Sequence, residues 1–334
     1  MPHEWHAKEV VLVIKKSLLG FAFVLLFPEG VVHGELLRVY WTEFVGPNYK
    51  FSKRDFVGPQ DISTSIVMND VEVDVPGGKV YWGDAGKIRR ANLDGCCVED
   101  AISGLGGDIN KIDLDPIAGR MYWIRNEFIR RANFDGTGTE DVIQRTGFTV
   151  HDFAVDHTRG KLYWLESNAS EAVLRQVNLE LTPGETAATR TDVENLYSAS
   201  PSNQMHRMAL DENRGEIHFS FWTGSSRFLY RFAIANSSTQ SLGQIPTPDD
   251  MQVDSVGGMV YLAWGDSGAV NRGKLSRMPV SGGPLQLVME APQVMRGIGL
   301  LLVPVSLVAG DLNGDGLVNA LDVQPFVTKL LTCP

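Results

Sequence analysis

Short apolar runs with polar neighbours recur along this chain at a fixed period. Ile112-Asp113-Leu114 and Phe153-Ala154-Val155 each read as a half-buried strand. Behind each comes an Asp, three residues, a Gly, two residues and an aromatic. The text is Asp74…Gly78…Tyr81, then Asp115…Gly119…Tyr122, then Asp156…Gly160…Tyr163. Two degenerate copies are Asp211…Gly215…His218 and Asp254…Gly258…Tyr261. An Asp that caps its own turn and a Gly that accepts positive φ make this a hairpin corner. The apolar-aromatic residues that follow favour the return strand.

The aromatics fix the period. Tyr40-Trp41, Tyr81-Trp82, Tyr122-Trp123 and Tyr163-Trp164 stand 41 residues apart. A second hairpin completes the unit: residues 88–95 recur almost verbatim as 129–136, and short strands follow near 99–102 and 140–143. Four short antiparallel strands per period predict a propeller blade, a unit too small to bury a core alone. Equivalent positions run Trp41, Trp82, Trp123, Trp164, Phe219 and Leu262, with an insertion around 181–200. The first unit lacks an inner strand, while Ile298-Gly299-Leu300 is an inner strand without a blade. The expected fold is therefore all-β: a six-bladed propeller closed by the C-terminal strand, which removes the open edge.

These Tyr-Trp pairs, Asp-x-x-x-Gly corners and Ile-x-Arg-x-x-Leu-Asp-Gly strands resemble the YWTD repeats, the class B repeats of the low-density lipoprotein receptor family. The resemblance covers about residues 36–304 and implies a six-bladed propeller acting as a ligand-binding scaffold. The Thr-Asp half of the signature is only partly kept, as Thr42-Glu43, Gly83-Asp84, Ile124-Arg125 and Leu165-Glu166.

The 334 residues divide as 1–34, 35–304 and 305–334. Lys15-Lys16 precede an apolar stretch at 18–27, the layout of a cleaved signal peptide ending near Gly34. The stretch is too short to span a bilayer, so no transmembrane anchor is expected there. Export places the mature chain in the periplasm, at the cell surface or outside the cell. The net charge of −10, with no basic run beyond the N-terminus, argues against a nucleic-acid partner. Three cysteines, two of them adjacent, are too few for a disulfide framework. That usage suits an exported bacterial protein better than an animal ectodomain.

The strongest candidate site is a metal loop. Asp311, Asn313, Asp315, Asn319 and Asp322 occupy positions 1, 3, 5, 9 and 12 of an EF-hand-like loop. Gly316 takes the sharp turn at position 6, and Leu317 offers its backbone carbonyl at position 7. Oxygen donors on a wrapping loop, three of them carboxylates, predict Ca2+. Apolar spacing after the loop predicts an exiting helix; no entering helix precedes it. This half-hand resembles one repeat of the bacterial type I dockerins. The resemblance implies calcium binding, a cohesin-like partner and membership of a polysaccharide-degrading assembly.

A second candidate lies on the propeller. The residue two before the first apolar position of each inner strand falls at the channel mouth. These are Asn69, Asn110, His151, His206, Asp249 and Arg296, all polar. They form a metal ring or a ligand ring for a protein or glycan, or simply the polar ends of surface strands. Two functions follow from the two readings. One is an exported, non-enzymatic binding protein with its calcium repeat as a docking element. The other resembles the calcium-dependent lactonases of six-bladed fold, hydrolases that hold a channel metal with Glu, Asn and Asp.

Overall fold

The computed structural model describes residues 36–45, 48–55, 58–65, 68–200, 202–265, 272–291 and 293–302. The N-terminal segment 1–34 and the metal loop from Asp311 to Asp322 lie outside the described residues.

The described residues are all strand and turn. Five four-stranded sheets are each continuous in sequence. The first contains β4 (Val71–Asp74), β5 (Lys79–Asp84), β6 (Lys87–Asn92) and β7 (Glu99–Ile102), after β1 (Leu36–Val45), β2 (Asn48–Asp55) and β3 (Gly58–Ser65). The second contains β8 (Ile112–Asp115), β9 (Arg120–Arg125), β10 (Phe128–Asn133) and β11 (Glu140–Gln144). The third contains β12 (Thr149–Asp156), β13 (Lys161–Ser167), β14 (Ala172–Asn178) and β15 (Glu194–Ala199). The fourth contains β16 (Met205–Asp211), β17 (Glu216–Trp222), β18 (Arg227–Ala233) and β19 (Ser238–Gln244). The fifth contains β20 (Pro248–Asp254), β21 (Met259–Gly265), β22 (Gly273–Pro279) and β23 (Gln286–Ala291). The remaining sheet is composite, in the order β24-β1-β2-β3, with β24 at Met295–Leu302. The repeat predicts six blades, the first completed by the C-terminal strand; the chain makes five continuous blades and this composite sheet, in which β24 pairs with β1. The composite sheet arises because β1 is a second strand whose inner neighbour is supplied from the other end of the chain.

The first strands touch in circular order: β4, β8, β12, β16, β20, β24 and back to β4. Crowding near the axis explains two glycines of β24. A Cβ on Gly297 would sit 2.6 Å from Asp70 Cα, and one on Gly299 would sit 2.9 Å from Val73 Cγ2.

The Tyr-Trp pair is the unit of blade-to-blade packing. Adjacent strand residues point to opposite sheet faces, so each pair serves two cores. Tyr40 shares a core with Trp82, Tyr81 with Trp123, Tyr122 with Trp164, and Tyr163 with Phe219. Tyr261 shares one with Trp41 and Ile298 of the composite sheet. His218 stands where the fifth of these tyrosines would be and is fully buried. Desolvation holds its imidazole down at about 4.

The corners form as the sequence implies. The Asp74, Asp115, Asp156, Asp211 and Asp254 carboxylates each accept a backbone N–H three residues on, at 2.7–3.0 Å. Gly78 and Gly160 close their corners at φ of 66° and 63°, where a side chain is strained. The insertion expected around 181–200 is ordered at its end, which forms β15 paired with β14. Buried Arg190 pins the rest, donating to the carbonyls of Val142, Asn178 and Glu180.

Candidate functional site

The six mouth positions do converge, and they do so as couples. Asn69 Nδ2 donates to Asn110 Oδ1 at 3.3 Å. The His151 and His206 rings stack with centroids 4.7 Å apart. Arg296 Nη1 pairs with Asp249 Oδ1 at 2.7 Å. His151 Nε2 also lies 2.7 Å from Ser167 Oγ.

Local backbone geometry puts them there. Register shifts fall between Val150 and Asp152, between Met205 and Met208, and between Pro248 and Asp250. A fourth shift in the β1–β24 ladder brackets Arg296. Each is a bulge that bends the inner strand and re-aims a side chain. Asn69 and Asn110 lie in irregular backbone just ahead of β4 and β8.

The residue after each mouth position makes a deeper layer: Asp70, Lys111, Asp152, Arg207, Asp250 and Gly297. The aspartates stitch neighbouring inner strands together. Asp70 accepts from Ile112 N at 2.7 Å, Asp152 from Met208 N at 2.9 Å, and Asp250 from Ile298 N at 2.8 Å. Lys111 Nζ lies 3.3 Å from Asp70, 3.2 Å from Asp250 and 3.6 Å from Glu72. Burial opposes its charge, yet the carboxylates of Asp250, Asp70, Asp152 and Glu72 hold its pKa well above the ordinary lysine value. Burial pushes Asp70 and Glu72 well up, against the pull of Lys111.

Beyond this layer the axis widens into a vestibule of about 260 Å³ on the face of the Asp-Gly corners. Glu72, Asp113, Gln252 and Glu212 line it beside small Ala154 and Ala209. Gln252 Nε2 donates to Glu72 Oε1 at 2.6 Å, and His157 Nδ1 meets Glu212 Oε1 at 3.0 Å. Desolvation lifts Asp113 to about 7, although Val155 N and Leu114 N both donate to it.

The sequence offered these six positions as candidates and did not point to the layer behind them. A signal was present: the residues following the six mouth positions read Asp-Lys-Asp-Arg-Asp-Gly, an alternation of charge at the inner-strand phase. Among the described residues no group of three or more His, Cys, Asp or Glu is arranged to hold a metal ion. No helix of the described residues is long and apolar enough to cross a membrane.

No family model matches the sequence, and no curated protein matches it. Solved structures do match in shape. The chain superposes on a chain of a nidogen/laminin complex with a TM-score of 0.60 at 15% identity, covering 79% of this chain and 97% of that one. TolB from Acinetobacter baumannii gives 0.61 at 14% identity, covering 79% and 66%. A gluconolactonase from Xanthomonas campestris gives 0.52 at 13% identity, covering 81% and 91%. At such identities the likeness establishes the propeller fold.

Proposed function

We propose that the protein is a non-enzymatic binding scaffold that takes its ligand, a glycan or a protein, at the mouth formed by Asn69, Asn110, His151, His206, Asp249 and Arg296. The observation that carries this reading is their pairing: six strand ends from around the axis satisfy one another's polar groups on a floor of buried salt bridges. Such a surface is preorganised, so little ordering cost remains for binding. The composite sheet serves as the sixth blade that closes the ring. The test is capture of a panel of glycans and extended peptides by the full chain and by the His151→Ala/His206→Ala variant. Loss of a ligand in the variant supports the mouth; equal capture by both proteins sinks it.

The rival reading, a lactonase-like hydrolase, needs a cation on the axis. The Lys111 ammonium already lies among Asp70, Asp250 and Glu72, where a second positive charge is repelled. That favours the binding scaffold. Stoichiometric calcium that survives mutation of the C-terminal loop reverses the preference.

The same reading assigns Ca2+ to Asp311, Asn313, Asp315, Leu317, Asn319 and Asp322, with a cohesin-like partner as the docking target. Calorimetric titration after chelation should show calcium uptake that Asp311→Ala/Asp315→Ala abolishes. Export through cleavage near Gly34 predicts a mature N-terminus near Glu35, which N-terminal sequencing of secreted protein checks.

A further inference from the structure

Two guanidinium groups beside the mouth take no part in its couples: Arg207 of the axial layer and Arg227. Arg207 lies in the β16 bulge beside His206. Its Nη1 donates to the carbonyl oxygens of His206 at 3.1 Å and His151 at 3.4 Å, and its Nε donates to that of Asp249. All three acceptors are neutral, and among the described residues no carboxylate lies within ion-pair distance of Arg207. Arg227 opens β18 and is only 7% exposed. Its Nη1 reaches Ser220 Oγ at 3.4 Å, the same oxygen that accepts the main-chain N–H of Arg207 at 3.2 Å. Its Cζ lies 5.7 Å from the centre of the Trp222 ring. Its Nε has no hydrogen-bond partner, its Nη2 makes no bond to a described residue, and no described carboxylate pairs with it.

A guanidinium removed from water without a counter-ion is costly. Here the Arg227 guanidinium reaches one neutral hydroxyl, which also accepts the main-chain N–H of Arg207, while the Arg207 guanidinium bonds carbonyl oxygens. Burial and the charges of His151, Arg227 and Arg207 hold His206 down at about 4. Burial and Arg207 push His151 down too. Asp249 is engaged by Arg296, while Asp152 accepts from backbone N–H groups. Glu166 is matched to Arg145 and Arg175. The charge of Arg207 is felt by Asp152 and Asp249, so the guanidinium left without a carboxylate on this side of the mouth is that of Arg227.

We propose that the mouth binds an oxyanion, the carboxylate or sulfate group of its ligand, between Arg227, Arg207 and the His151–His206 stack. The inference rests on the mouth as the binding surface and names the group recognised there. Arg227 supplies the buried fork, whose planar donors match an oxyanion, and Arg207 supplies a fixed second charge. The neutral imidazoles add hydrogen bonds without competing charge. Two of the ligand's oxygens thus fill donor positions on Arg227 that no described residue occupies.

The experiment titrates the full chain at low ionic strength with sodium acetate, sodium sulfate and sodium phosphate, reading heat and the His206 imidazole resonances. At least one anion should bind, raising the His206 pKa, and preference for acetate or for the tetrahedral anions distinguishes the two sources. Arg227→Gln should weaken binding at least tenfold, Arg227→Lys less, and the remote Arg277→Gln not at all. Binding that Arg227→Gln leaves unchanged overturns the proposal. So does a wild-type chain that takes none of the three anions, a result independent of whether any variant folds. Capture of a neutral glycan or peptide alongside that failure leaves the mouth as a binding surface and removes the oxyanion.

Discussion

The two ends of the axis are built from the same inner strands and have opposite chemistry. At the mouth, Arg207, Arg227 and Arg296 face two neutral histidines and Asp249, which Arg296 engages. At the vestibule, Glu72, Asp113 and Glu212 face Lys111 and His157. Only the four to eight residues of a first strand separate the ends. The difference teaches how a propeller sets charge along its axis. Bulges at one end turn consecutive residues inward, so mouth and axial layer lie one residue apart in sequence. Regular alternation resumes below, so the vestibule takes every second residue: 70 to 72, 111 to 113, 250 to 252. Small residues at Ala154 and Ala209 then leave the vestibule its volume.

The strongest way to break this comparison is to remove the cation between the ends. Lys111→Met leaves Asp70, Asp250 and Glu72 without their ammonium in a buried site. A loss of about 3–5 kcal/mol in urea unfolding at pH 7 is expected. Part should return near pH 5, where the freed carboxylates take up protons. A loss below about 1 kcal/mol would mean that water, rather than Lys111, balances the axis.

The two ends should also titrate in opposite senses. Asp113 is held at about 7, above its ordinary 3.8, so the folded chain keeps this proton longer than the unfolded one. Its contribution favours folding at low pH and is lost as pH rises from about 4 through 7. His206 is held at about 4, below its ordinary 6.5. Its contribution is present above pH 6.5 and is lost as pH falls through about 4. Asp113→Asn should therefore make stability rise more steeply between pH 4 and 7, and His206→Gln should make it rise less. Identical slopes in denaturation at several pH values would break the contrast.

Gly297 is the one position of the axial layer with no side chain, and Gly297→Ala tests how tightly β24 meets β4. The added methyl meets Asp70 Cα at 2.6 Å, and main chain there cannot yield cheaply. A loss of about 1–3 kcal/mol is expected. An unchanged melting temperature would show the composite sheet to be loosely seated.

The smallest effect on stability belongs to the mouth itself. His151→Ala/His206→Ala removes a half-buried stack and should cost about 1 kcal/mol by thermal denaturation. Its ligand binding should fall at least tenfold. A large stability loss would make the stack a structural element rather than a binding surface.

The sequence by itself determined the blades. Tyr-Trp pairs at a 41-residue spacing require each aromatic to find a neighbouring repeat, because one hairpin pair cannot cover either ring. Asp-x-x-x-Gly fixes the corner locally, through a side chain and a positive φ that need no distant contact. The six mouth residues were legible because they keep the phase of strands already located. Tertiary structure alone decided the rest. It turned six polar strand ends into three couples. It set Lys111 against Asp250, 139 positions away, and left Arg227 without a carboxylate. Charge compensation across an axis depends on which side chains six separate strands present at one height. No periodicity within a single strand encodes that height.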